Sequence, residues 1–395
     1  MSGHTHDHID WADRLALLRA ADTLDAPAQA AIAARLVAKL PANPTVIDLG
    51  CGAGGMSTHF AEALAAHNGG TIILVDATPE LLHEAERAVR AAAETARASR
   101  TDGTAPVDGF APERNSAQPN GRLTTGVGAG PDAVPGGGTG NRAAPDGRSG
   151  NQAVSDGGAG SHAATGSSAA NRVASDADLA DHAATGGEAK LSTAARDTAP
   201  KVEVRAVAAD LADGSLPDLL PAADLVWASR VVHHLPDQQA AIGTLTAVAG
   251  PDGVVALAEG GLSFSCLPWD LGVGRPGLEA RLQAAQAEWF VGMREGIDGA
   301  VPMPYGWTAA LERAGLADVS SFSALVDHPA PGLDGLTDYV HHHLSRLATH
   351  GADHLAEEDR ATVASLLDPD STHYLGKRRD LFLLGARTVH HGRRP

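Results

Sequence analysis

The chain has 395 residues, with 30 Lys and Arg against 48 Asp and Glu and a formal charge of −18. That balance repels phosphate backbones and anionic lipid heads at long range, so neither nucleic acid nor a membrane surface is an expected partner. Cys51 and Cys266 are the only cysteines and make no disulfide framework or zinc-ligand set; no apolar run is long enough to cross a bilayer, and the cytoplasm is the expected compartment.

Residues 1–94 read as N-terminal helices followed by the first half of a domain. One helical pattern covers Ile9 to Ala21. Asp25 and Pro27 then resemble a cap and a first-turn proline, starting a second helix with Ile32, Leu36, Val37 and Leu40 on one face. Val46 to Leu49 is a short buried strand, followed by a glycine turn and a helix through Phe60 and Leu64. Thr71 to Asp76 is a second strand, and Leu81 to Thr95 a second crossover helix.

Residues 95–200 break the rhythm. A segment beginning at Asn141 returns in drifted form at Asn151, Ser161, Asn171 and Asp181, a period of ten residues. The recurring apolar residue is alanine, which stacks too little surface to offset an ordering cost of about 1–2 kcal/mol per residue. The expectation is a disordered low-complexity insert.

Residues 201–261 resume the pattern: strands at Val202–Val207, Ala223–Ala228 and Val254–Ala258, with a helix over Gln238–Ala249 and a turn at Pro251–Gly253. Residues 262–395 read as a loop from Cys266 to Gly277, a lid helix over Leu278–Met293, a helix over Trp307–Gly315, a sixth strand over Val319–Val326, a helical insertion over Leu336–Leu367 and a seventh strand over Leu381–Val389. Strands alternating with helices predict one α/β domain: a seven-stranded, mostly parallel Rossmann-like sheet, helices on both faces, helical lid insertions and one long loop.

The strongest chemical signal is the turn Asp48, Gly50, Gly52, Gly54, Gly55 between a strand and a helix. Its G-x-G-x-x-G spacing alone is a weak nucleotide signal and fits a nicotinamide-dependent oxidoreductase as well. Three acids sharpen it. Asp48 precedes the turn, where a carboxylate disfavours a pyrophosphate and suits a ligand carrying ammonium and sulfonium groups. Asp76 ends the second strand, where it can accept ribose hydroxyls, and Asp210 follows the third, within reach of an adenine amino group.

Here the chain resembles the class I S-adenosylmethionine-dependent methyltransferases. The segment from Asp48 to Gly54 looks like their first motif, Val75 and Asp76 like the second, and Ala209 to Leu211 like the adenine-contacting segment. Asp224 to Leu235, ending in His233, His234 and Leu235, is similar to the fourth-strand motif of the small-molecule branch. The resemblance implies S-adenosylmethionine as cofactor, with Asp48, Gly50 and Gly52 along the methionine moiety, Asp76 on the ribose, Asp210 and Leu211 on the adenine, and Ser229 beside the methyl donor. It implies O-, N- or C-methylation of a small-molecule acceptor, in specialised metabolism; the alternative is a non-catalytic sensor or scaffold binding the same ligand.

Methyl transfer needs a base only when the acceptor must lose a proton. His233 and His234 are the candidates, with Glu259 a weaker one. Trp269, Trp289, Met293 and Tyr305 are expected to line the acceptor site under a lid. His343 falls beside the stripe Leu336, Val340, Leu344 and Leu347, and no spacing supports a metal site.

Overall fold

The sheet begins with five parallel strands in the order β3-β2-β1-β4-β5: β1 is Thr45–Leu49, β2 Gly70–Asp76, β3 Val202–Ala208, β4 Ala223–Ser229 and β5 Ala249–Ala258. β1 and β4 are apolar over most of their length, as strands covered on both faces must be. The computed structural model describes residues 11–101, 200–332 and 335–395. The decapeptide repeat expected to be disordered lies outside them. The crossover helix expected to stop at Thr95 runs from Pro79 to Thr101 as α3, and β3 pairs directly with β2 although the two are far apart in sequence.

The far side of the sheet is antiparallel and holds one strand more than expected. β6 is Gly261–Ser265, β7 Ala317–His328 and β8 Leu383–Arg393. β7 pairs along the whole of β8, so β5 and β6 share the other edge of β8 end to end: Val254–Leu257 oppose residues 390–393, and Gly261–Ser265 oppose residues 384–387. β5 and β6 are thus one edge interrupted at Glu259 and Gly260. In the sequence β6 reads as loop because only Phe264 in it is buried.

Three apolar clusters hold the sheet. Helices α1 (Trp11–Val37), α2 (Gly55–His67) and α3 cover one face, with Ile32, Phe60, Leu64 and Val89 packed on Val46, Ile72 and Trp227. The other face carries a short α4 (Leu216–Leu219), α5 (Gln238–Val248) and α7 (Trp307–Arg313). A third cluster lies among α6 (Leu278–Glu295), α8 (Leu336–His350) and α9 (Glu357–Leu367), the expected lid and helical insertion.

The helix break expected at Asp25 does not occur. α1 runs on through Pro27. Asp25 is not its cap; it is 2% exposed and accepts Arg387 Nη2 of β8 at 2.5 Å and Nε at 3.1 Å. Leu24 and Ala28, on either side of the proline, are both buried, and these contacts offset the amide donor that Pro27 lacks.

The turn between β1 and α2 has positive φ at Gly50, Gly52 and Gly54. At Gly54, φ is 86° and an added Cβ would stand 2.9 Å from the Ala85 Cα of α3. Gly54→Val is expected to destabilise the protein by about 1–2 kcal/mol from the left-handed backbone and about 1–3 kcal/mol from overpacking. A urea unfolding midpoint equal to that of wild type would show that the turn relaxes instead.

Candidate functional site

The carboxyl ends of β1, β2 and β4 meet at the glycine turn. The amides of Gly50 and Cys51 both donate to the Val75 carbonyl, at 2.8 and 3.0 Å. Asp76 completes the turn: its Oδ2 accepts Gly52 N–H at 2.9 Å and its Oδ1 accepts Thr78 N–H at 2.9 Å. Gly50 packs on the next strand end, where an added Cβ would come within 2.5 Å of Val231 Cγ2. Gly52, by contrast, faces open space. The turn is therefore braced from below and open above, a shape a ligand can approach closely.

Asp48 is 3% exposed and accepts the Ser57 hydroxyl at 2.5 Å. Burial pushes its carboxyl up to about 7, with the nearby Asp76 and Asp22 adding to the rise and Ser57 opposing it. A buried carboxylate with carboxylate neighbours and no cation in contact is poised to accept a positive ligand. Burial pushes the adjoining Cys51 thiol up as well, which makes it a packing residue rather than a nucleophile. Asp210, which is exposed, caps the short 3₁₀ turn Leu211–Asp213 by accepting Ala212 N–H at 2.9 Å through Oδ1. Leu211 is buried beneath it, and Ser229 ends β4 at the wall of a cavity shared with Met56 and Trp227.

After β4 the chain makes the 3₁₀ turn Val232–His234. Glu259, 1% exposed in the β5–β6 break, organises it. Its Oε1 accepts Val231 N–H at 2.9 Å and Val232 N–H at 2.8 Å, and its Oε2 pairs with His233 Nδ1 at 2.6 Å. Glu259 thus fixes the turn and the Nδ1 edge of His233 through three contacts. His233 is left with Nε2 available, its ring 4.0 Å from that of His234 and 5.7 Å from that of Phe290 on α6. His234 is exposed and held below its ordinary value by partial burial and the His233 charge. Arg294 of α6 fastens the loop, donating to the carbonyls of His233 at 3.0 Å and Leu235 at 2.7 Å.

The expected acceptor lining does not come together as one wall. Trp269 is 73% exposed and packs on Gly277. Trp289 stacks on His350 of α8, with ring centres 3.9 Å apart, and Met293 lies one turn further along α6. Tyr305 donates to Gln239 Oε1 at 3.0 Å and sits under the Arg313 guanidinium. His343 packs into the third cluster, stacked on Tyr339, and burial holds it down at about 4. It approaches Cys266 and Glu279, with ligand atoms of the three within 4.8 Å. There Glu279 caps the loop after β6, taking Cys266 N–H at 2.8 Å and Leu267 N–H at 3.3 Å.

A parallel sheet with a glycine turn after its first strand and carboxylates at three strand ends defines a class I S-adenosylmethionine-dependent methyltransferase. A family model described as a methyltransferase domain matches residues 24–321, and the chain belongs to that family. No curated protein matches it. Among solved structures it is similar to an S-adenosylmethionine-dependent methyltransferase from Thiobacillus denitrificans in complex with S-adenosyl-L-homocysteine. That pair shares 13% identity over 91% of this chain and 90% of that one, with a TM-score of 0.35. A Geobacter sulfurreducens methyltransferase with the same ligand gives 12%, 91% and 89%, with a TM-score of 0.34. The [4+2]-cyclase SpnF gives 13%, 92% and 80%, with a TM-score of 0.31.

Proposed function

We propose that the protein transfers the methyl group of S-adenosylmethionine to an oxygen, nitrogen or carbon of a small-molecule acceptor, as a step of specialised metabolism. The observation that carries the reading is the row Asp48, Asp76 and Asp210 at the open ends of β1, β2 and β3. Asp48 supplies negative charge toward the methionine end of the donor. Gly50 and Gly52 give it backbone to lie on. Asp76 keeps unused lone pairs on both oxygens for a ribose diol. Asp210 and Leu211 flank the adenine, and Ser229 faces the transfer point.

When bound, the donor supplies an electrophilic sulfonium methyl. The protein's own work is to orient the acceptor, exclude water and, for a hydroxyl or amine acceptor, take up a proton. His233 Nε2 is the group for that last task, since Glu259 fixes the Nδ1 edge of the ring. The net charge of −18 favours a small acceptor over nucleic acid.

Calorimetric titration with S-adenosylmethionine, followed by a search of metabolite extracts for a mass gain of one methyl group, tests the proposal. Saturable binding and a methylated product are expected. Absence of donor binding would remove the donor reading; binding without any product would favour a sensor.

A further inference from the structure

The cavity walled by Ser229, Met56 and Trp227 also reaches two arginines that the methyl-transfer reading does not use. It is about 30 Å³, with Arg230 and Arg387 among its walls. That is two to three times the roughly 10–15 Å³ that seats one water, enough for a small head group but not for a whole acceptor. Ser229 and Trp227 of β4 border it, so it opens beside the proposed transfer point.

Its hydrogen bonding is incomplete. Arg387 shares the buried carboxylate of Asp25, which takes Nη2 and Nε, and leaves Nη1 without a partner among the described residues. The Arg230 guanidinium has no hydrogen-bond partner among the described residues, although its backbone amide is fixed to the Ala258 carbonyl at 3.1 Å. Arg230 also holds φ at 55°, a left-handed backbone uncommon for a non-glycine residue and one that concentrates at functional sites. It is enclosed by protein on most sides yet keeps surface open to solvent, and burial and the Arg387 charge both work against its protonated form. Asp25 and Asp22 both favour the Arg230 charge, but Asp25 already pairs with Arg387 and neither hydrogen-bonds the Arg230 guanidinium. Gln29 adds an unpartnered buried acceptor, Oε1. Two guanidiniums facing one small space with donors to spare fit a planar anion, which each can bind through parallel N–H groups.

We infer that this cavity is a carboxylate subsite: Arg230 and Arg387 hold a carboxylate of the methyl acceptor, and Gln29 Oε1 accepts a neighbouring N–H or O–H of the same molecule. The acceptor class is then a small carboxylic acid carrying a hydroxyl or amino group near the acid. This rests on the methyltransferase reading for the word acceptor, but not for the subsite itself.

The test titrates the full-length protein, free and saturated with S-adenosylhomocysteine, with [13C]acetate and with acetamide as the neutral control, in wild type and Arg230→Gln. Arg230 has no partner to lose, so the variant is expected to fold. Wild type loaded with S-adenosylhomocysteine should broaden the acetate signal saturably and leave acetamide unaffected. Arg230→Gln should weaken acetate binding by roughly tenfold or more with unchanged affinity for S-adenosylhomocysteine. Equal binding of acetate and acetamide, or an unchanged variant, overturns the subsite. Acetate bound by the free protein but expelled by S-adenosylhomocysteine, with the variant losing affinity for that ligand, shows that the arginines hold the donor's own carboxylate and overturns the acceptor assignment. Failure of wild type to bind S-adenosylhomocysteine at all strikes the methyltransferase reading instead, and acetate binding to the free protein then decides the subsite alone.

Discussion

Glu259→Gln is expected to fold and to lose turnover by about 10²-fold or more wherever the acceptor must be deprotonated. The amide oxygen can still accept Val231 N–H and Val232 N–H, so the 3₁₀ turn after β4 keeps its shape. The amide nitrogen, however, then faces His233 Nδ1 across 2.6 Å. It can only donate there, so Nδ1 becomes the acceptor and the ring proton moves to Nε2, removing the lone pair the acceptor needs. Glu259→Ala is harsher, because it leaves two amides without a partner at about 1–3 kcal/mol each. His233→Gln should match Glu259→Gln in turnover, and the double variant should be no worse than either, since both act through one nitrogen. Product formation and thermal melting of Glu259→Gln, His233→Gln and the double variant check this. Additive losses in the double variant would mean that Glu259 and His233 serve separate ends.

The candidate donor half of the site is written locally in the sequence. Asp48, Gly50, Gly52 and Asp76 lie within one strand–turn–helix–strand unit, and the alternation of apolar runs with helical periods places each at a strand end without any knowledge of the fold. Glu259 was legible only as an acid at a strand end. Its role depends on the β5–β6 break, and β6 is hidden by having a single buried side chain.

The proposed carboxylate subsite was not legible, because its contacts span the chain. Asp25 and Arg387 meet although 362 residues apart. No window-based pattern joins them, and the aspartate followed by Pro27 reads as a helix start. Aromatic residues after Gly261 drew attention by their rarity, 4% of the chain, yet Trp269, Trp289 and Tyr305 took separate partners. An aromatic side chain signals burial of area rather than a particular cavity. Arg230 stood inside the fourth-strand motif but gave no signal of its own, since its left-handed backbone and unpartnered guanidinium exist only in the folded chain.

Asp48→Asn should lower affinity for S-adenosylmethionine by roughly 10- to 100-fold at pH 8, the loss associated with a charge-assisted contact. The pH dependence is the sharper test. The carboxyl of Asp48 stands at about 7 in the free protein, against an ordinary value of 3.8, chiefly because burial penalises the anion. A carboxyl raised by folding favours the protonated fold, so its contribution to stability is present at low pH and lost as pH rises from about 4 through 7. A cationic ligand works in the opposite sense, because it binds the carboxylate and expels the proton. Donor affinity of wild type should therefore climb with pH, by up to about tenfold per unit below 7, and level off above it. Titrations in two buffers of different ionisation enthalpy should show a proton released on binding near pH 6. In Asp48→Asn the slope and the released proton should both vanish, while the free variant should melt higher than wild type at pH 8, having no anion to bury. Ser57 can still donate to the amide oxygen, so packing around the turn is preserved. A variant that kept the pH slope would place the titrating group elsewhere in the crevice, with Asp22, also raised by burial, the next to replace.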